Sequence, residues 1–423
     1  MNSLKKIGKI LGPGLVTGAA DDDPSGIATY SQTGAQFGYG QLWTALFMLP
    51  MQVAIQESCA RIGAVNGHGL TWAIKQHYSK KVLFLVISLL LIANIINIGA
   101  DIGAMAAAAN LIIPIPFYVL MLFFTVSTLS LEIFVRYKAY SRYLKWLCLS
   151  LLAYPLTIFI AHAPWLVILK ATFIPHVEFN SQFLFIIVGV LGTTISPYLF
   201  FWQASQVVEE QQENHIPKLN GRYYLTSQFM KELRLDNFIG MLMSEIATWS
   251  IIVVAAAVLH EHGLIDIKTS ADAAKALEPL VHTFPHAGYL AKLIFSIGII
   301  GLGLLAVPVL AGSSAYAFGE ALDWEVGLNL KFNRAQGFYG VIVLATLSGL
   351  FINFLGVDPI KLLIYSAVIN GVIAVPLIFI IALIGKNEAI MGHHKNGLLS
   401  NIVIWLTFIC MGLASIAMLY SLY

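Results

Sequence analysis

Apolar runs about the length of a membrane crossing follow one another along most of the chain from residue 11, parted by short joints rich in glycine, proline or charge. A spanning helix needs about 20 largely apolar residues. Eleven stretches qualify: 11–37, 42–62, 83–112, 116–134, 144–163, 182–207, 237–260, 287–317, 337–356, 359–384 and 398–421. Two of them are interrupted. Span 1 contains Asp21-Asp22-Asp23-Pro24-Ser25-Gly26, and span 6 contains Gly192-Thr193-Thr194-Ile195-Ser196-Pro197-Tyr198. A proline inside a helix removes an amide donor and clashes with the preceding turn. Irregular backbone at membrane depth survives only where it is buried in protein or lines a wet cavity. Both spans are therefore predicted to break where the polar residues gather, whereas Pro50, Pro155, Pro308 and Pro376 predict plain kinks.

The two interrupted spans lie five apart. Matching interruptions in two halves point to a transporter's midplane site. Five is odd, so the second half starts from the opposite side and the repeat is inverted. The expected organisation is a cytoplasmic N-terminus (1–10), a first repeat of spans 1–5 (11–163), an outer loop (164–181), a second repeat of spans 6–10 (182–384), and a loop with span 11 (385–423). With the N-terminus inside, only Lys170, Lys268, Lys275, Lys292 and Lys361 of the 24 lysines and arginines fall outside. Such an imbalance satisfies the positive-inside rule. The inner loop 208–236 reads as a solvated connector with a short amphipathic helix, and loops 164–181 and 261–286 read as short outer caps.

Composition agrees. Of 423 residues, 58% are hydrophobic and 11% charged, against about 25% charged in soluble domains; mean hydropathy is +0.79. The fold class is an all-α polytopic membrane protein whose solvent is the lipid bilayer. A net charge of +2 without a basic patch gives no reason to expect nucleic acid. Cys59, Cys148 and Cys410 fall in spans at unrelated spacings and predict neither disulfides nor a metal motif. The basic stretch Met1–Lys9 lacks a small-residue cleavage site, so no removable signal peptide is expected. No nucleotide loop, nucleophile triad or haem motif is present, so neither an enzyme nor an ATP-driven pump is expected, and no cofactor. Oligomeric state is not legible.

Acids inside the membrane mark function, and the break in span 1 offers oxygen ligands to a cation. Successive helical residues are rotated by about 100°, so Asp21, Asp22 and Asp23 cannot all face one site. Asp23 is the expected ligand; Asp22 is expected to act through water or to pair with Asp101, and Asp21 to line the entry or bond within the protein. Thr193 and Ser196, three apart, share a face and offer hydroxyls or carbonyls to the ion, or simply let helices pack closely. Asn94, Asn97 and Asp101 form a polar stripe on span 3, either a wet route or interhelical hydrogen bonds. Gln203 and Asn370 are candidates to line the path, and so is Glu245, otherwise an interfacial acid. Glu57 and Arg61, four apart on span 2, predict a salt bridge, Glu132 and Glu320 interfacial acids, and His393-His394 a polar loop.

These residues resemble the Nramp family of divalent metal transporters, which share the LeuT-like fold. The likeness lies in Gly12-Pro13-Gly14 followed by Asp23-Pro24-Ser25-Gly26, in Gln56 to Gly63, and in Gly303-Leu304-Leu305-Ala306 with Ala311-Gly312-Ser313-Ser314. It extends over nearly the whole chain. The departures carry chemistry. Where the family has Asp-Pro-Gly-Asn, Asp23 remains and Gly26 replaces the asparagine. Where it has Ala-x-x-Met-Pro-His, Ser196 replaces the ligand methionine and Tyr198 the histidine. Where it has Asp-x-x-Glu, Asp101 remains and Ala104 replaces the glutamate. Glu245 has no family counterpart. A thioether is a soft ligand that favours transition metals, whereas oxygen suits Mg²⁺, Ca²⁺ and Mn²⁺. Gly26 and Ser196 are also expected to enlarge the site for a partly hydrated ion, and Mg²⁺ keeps several waters. The resemblance is greatest to the Nramp-related magnesium transporters. It implies uniport-type or secondary-active import of Mg²⁺, and of Mn²⁺, by alternating access through Asp23, Asp22, Thr193, Ser196 and Gly26, without proton coupling, in the plasma membrane of a prokaryote. The competing expectation is a proton-coupled Mn²⁺/Fe²⁺ transporter. An amino-acid carrier of the same fold is the remote one, because the aspartates would repel the substrate carboxylate.

Overall fold

A computed structural model describes residues 12–135, 139, 151–160, 164–219 and 222–422. The N-terminal cluster Lys5, Lys6 and Lys9, the inner residues Arg136, Lys138, Arg142 and Lys145, Cys148 and most of span 5 lie outside the described residues. Among those described, eight helices are long and apolar enough to cross a membrane.

Span 1 is two helices, α1 (Pro13–Asp21) and α2 (Pro24–Phe37). Span 2 is α3 (Trp43–Asn66), followed by a short α4 (Leu70–His77). Spans 3 and 4 are α5 (Lys80–Asn110) and α6 (Phe117–Phe134). Span 5 is described as α7 (Ala153–Ile160). The loop expected at 164–181 contains a helix, α8 (Trp165–Phe173), which Pro164 starts and which buries Ile168 and Thr172. Span 6 divides into α9 (Ser181–Thr194) and α10 (Pro197–Glu213).

The connector expected at 208–236 is mostly helical. After α10 a two-residue hairpin pairs Lys218–Leu219 with Arg222–Tyr223, and α11 then runs unbroken from Ser227 to Val258. Thr226 caps it by accepting a hydrogen bond from Phe229 N at 3.1 Å, so the start signal lies well before the apolar run. The outer loop 261–286 is not bare; it holds short turns, α12 (Ser270–Ala274) and α13 (Glu278–Val281). Then come α14 (Ala287–Ala321), α15 (Gln336–Ile352), α16 (Pro359–Lys386), α17 (Glu388–Met391) and α18 (Leu398–Ser421).

The broken helices sit inside the bundle. α11 packs along both α1 and α2, α9 against α16, α10 against α3, and α14 against α5. Glycines allow the closest approach: a Cβ on Gly14 would lie 2.7 Å from Asn237 N, and one on Gly18 would overlap the Gly240 carbonyl. Glu57 and Arg61 pair as expected, with Arg234 joining Glu57 at 2.8 Å. Glu320 and Glu132 both turn into the protein rather than out of it. Glu320 is buried and accepts from the free amides of Gly69 and Trp72 at the start of α4. Glu132 is buried with neither carboxylate oxygen bonded.

Candidate metal site

Both breaks follow one local rule: a polar residue leaves the helix and a proline opens the next. Pro24 and Pro197 each occupy a first helical turn, where the missing N–H is no loss. Asp23 caps α2, its Oδ1 accepting from Gly26 N at 2.8 Å and Ser25 Oγ at 2.6 Å. A carboxylate at a helix N-terminus is favoured by the positive end of the helix dipole. Ser196 flanks α10 in extended conformation, but its hydroxyl turns back to the carbonyls of Gly192 and Thr193, at 2.8 and 2.7 Å.

The acids divide into two groups, as the helical rotation requires. In the first, Asn97 Nδ2 on α5 donates to Asp23 Oδ2 at 2.9 Å and to Asp101 Oδ2 at 3.2 Å. Asn97 Oδ1 accepts from Asn370 Nδ2 on α16 at 3.1 Å. Ser25 Oγ lies 3.2 Å from Thr193 Oγ1, bringing the second break to the first. Two helix breaks, α5 and α16 thus supply carboxylates, amides and hydroxyls to one buried place, with Asp23 only 1% exposed.

The second group faces α11 and α3. Gln52 Nε2 and Ser244 Oγ both donate to Asp21 Oδ2, each at 2.6 Å. Ser244 also reaches Asp22 Oδ1 at 3.3 Å. Asp22 therefore does not pair with Asp101, which belongs to the first group; one residue of rotation sends it to the other side of the break. Glu245 is buried with both oxygens unbonded, its charge facing Asp21 and Asp22.

Gly26 does not open a large space. A Cβ there would lie 3.2 Å from Tyr30 Cε2 and 3.3 Å from Thr193 Oγ1, so neighbouring side chains fill the gap. Tyr198 does not face the acids as a free group; its hydroxyl donates to Ala20 O, near the end of α1, at 2.8 Å. Gln203 holds α10 to α1, its Oε1 accepting from Thr17. Asn94 bonds to Leu310 O, Ser313 and Ser314 on α14, so the polar stripe of span 3 divides between packing and site.

Sequence reasoning missed Gln52 and Ser244. Gln52 is the more informative, because its Nε2 also donates to Thr194 O at 3.0 Å and so touches both breaks. The available signal was a lone amide in the apolar half of span 2, one turn before Gln56.

A family model described as natural resistance-associated macrophage protein-like matches residues 14–421. The divalent metal cation transporter MntH of Caldanaerobacter subterraneus subsp. tengcongensis is 26% identical over 406 residues, covering 95% of this chain and 90% of the relative. The protein of the same name in Clostridium acetobutylicum is 25% identical over 435 residues, covering 99% and 92%. Among solved structures, the Eremococcus coleocola manganese transporter superposes with a TM-score of 0.73 at 17% identity, covering 98% of this chain and 87% of that one. MhsT in complex with L-phenylalanine gives 0.63 at 14% identity, covering 97% of each. These likenesses carry the fold, that of the LeuT-like transporters.

Proposed function

The chain belongs to the Nramp family, and on that premise we propose that it carries a divalent metal cation, Mn²⁺ first, across the membrane by alternating exposure of a site centred on Asp23. One observation carries the reading. Carboxylates from α2 and α5, Asp23 and Asp101, both reach the single nitrogen Nδ2 of Asn97. An amide held between two carboxylates marks a strongly negative place, suited to a divalent ion. Asn370, Ser25 and Thr193 add neutral oxygens beside it, and Ser196, Gly26 and Tyr198 shape the breaks around it. Hard oxygen donors suit Mn²⁺, and the names of the relatives, divalent metal cation transporters and a manganese transporter, support that choice.

A second reading, Mg²⁺ import, is favoured by the donor set. With Ser196 at the break in span 6, no thioether biases the site against hard ions. Uptake without protons belongs to this reading, because Ala104 offers no acid and the Tyr198 hydroxyl is engaged with Ala20 O.

Influx into proteoliposomes loaded with metal- and pH-sensitive dyes tests both. The reading expects saturable Mn²⁺ influx that falls about a hundredfold in Asp23→Asn, as loss of about 3 kcal/mol of charged ligand interaction implies. Mg²⁺ competing at concentrations comparable to Mn²⁺, with a steady internal pH, selects the second reading. Folded, inserted protein that moves neither ion contradicts the proposal.

A further inference from the structure

The site at Asp23 leaves the second group of acids without a task. We propose that Asp21, Asp22 and Glu245 hold a second divalent cation, bound through its water shell, on the α11 side of the break; the inference rests on the reading of the break as a metal path.

The case begins with lone pairs that have nowhere to go. Asp21 Oδ1 and both oxygens of Glu245 are buried without a hydrogen-bond partner. Gln52 Oε1 is also unbonded although the residue is fully buried, while the same side chain's Nε2 is fixed on Asp21. Among the described residues, no lysine, arginine or histidine makes an ion pair with any of the three acids. A buried carboxylate without a partner costs several kcal/mol, and three facing one another repel. A cation answers all of these oxygens together.

Geometry selects the class of ion. Among the described residues, no three acidic, histidine or cysteine side chains gather closely enough to ligate one ion directly. The ion must then keep water between itself and some of the carboxylates. Mg²⁺ does so readily, since it dehydrates reluctantly and binds through one or two carboxylates with several waters retained. Asp22 and Ser244 also form the polar edge of an otherwise apolar cavity of about 270 Å³, lined by Leu15, Leu151 and Met243 among others, so Asp22 is reached from outside the helix break. Ser244 and the Gln52 oxygen supply the hydrogen-bonding partners that such a shell needs.

Equilibrium dialysis of the purified full chain against Mg²⁺, followed by elemental analysis, counts the ions. Wild type is expected to hold two per chain, Asp23→Asn one, Glu245→Gln one, and the double variant none. Asp22→Asn, which alters the same pocket from the other helix, is expected to repeat the Glu245→Gln result and serves if that variant does not purify folded. No loss of an ion from wild type in either Glu245→Gln or Asp22→Asn overturns the inference, and the three carboxyls then carry protons instead; a single wild-type ion that Asp23→Asn keeps and Glu245→Gln loses overturns only Mg²⁺ binding at Asp23. Two ions retained in Asp23→Asn with one lost in Glu245→Gln overturns the Asp23 reading while leaving this one standing.

Discussion

Asn97 shows how one side chain ties two carboxylates together. Its amide satisfies one oxygen of Asp23 and one of Asp101 at once, and an unsatisfied buried acceptor costs about 1–3 kcal/mol. Asn97→Ala should therefore lower the melting temperature without metal by a few degrees. Added Mn²⁺ should then raise it by more than in wild type, because the ion supplies the missing partner and ligand binding to the folded state stabilises it. A thermal-shift titration checks both halves; an equal metal response in the two proteins would contradict the account. Asp23 stood out in the sequence because a charge beside proline in an apolar run is a strong local signal. The partition of the three aspartates was legible only as a constraint. Helical rotation excludes a shared site, but which neighbour each acid meets depends on α5, α11 and α3, far away in sequence. Gln52 and Ser244 lie in unbroken helices; an amide in an apolar stretch was the one local signal for Gln52, and Ser244 had none.

At the scale of elements, α1 is held at its start by another helix. Asp236 on α11 accepts from Gly12 N at 2.8 Å, Gly14 N at 2.6 Å and Leu15 N at 3.3 Å. The first turn of a helix has free N–H groups and a positive end, so a carboxylate placed there acts as a cap supplied from outside the helix. The Gly14, Gly18 and Gly240 backbones lock together beneath it. The break after Asp21 makes α1 a short helix, and this clasp ties its start to α11. Asp236→Asn should release it, increasing the labelling of a cysteine placed at Leu15 by about tenfold, the factor for about 1.4 kcal/mol. Gly18→Ala, a steric wedge at the same contact, should act in the same direction. Unchanged labelling in both would contradict the latch. The sequence placed Asp236 in a solvated connector because charges such as Arg234 and Asp236 end the apolar run there. The helix continues past that point, since Thr226 caps it and the other helices bury one of its faces.

For the whole molecule, the membrane potential acts on the charge of the ion carried. A divalent cation gains about 4.6 kcal/mol per 100 mV, at about 2.3 per charge. An inside-negative potential imposed on proteoliposomes should therefore speed metal uptake, and an inside-positive one suppress it, if no counter-moving charge cancels the ion's own. Uptake indifferent to potential would indicate such cancellation. Most spans were legible because about 20 apolar residues is a physical length, and the two breaks because a proline beside polar residues interrupts an apolar run. Helix ends beyond the bilayer were not, since caps rather than hydrophobicity set them.

Anomalous diffraction from crystals grown with Mn²⁺ would test the central claim most directly. The account predicts a peak beside Asp23, with Asp101 and Asn370 completing its surroundings, and its loss in Asp23→Asn. A saturated, folded protein with no peak at the two breaks, or with its peak unmoved by Asp23→Asn, would contradict it.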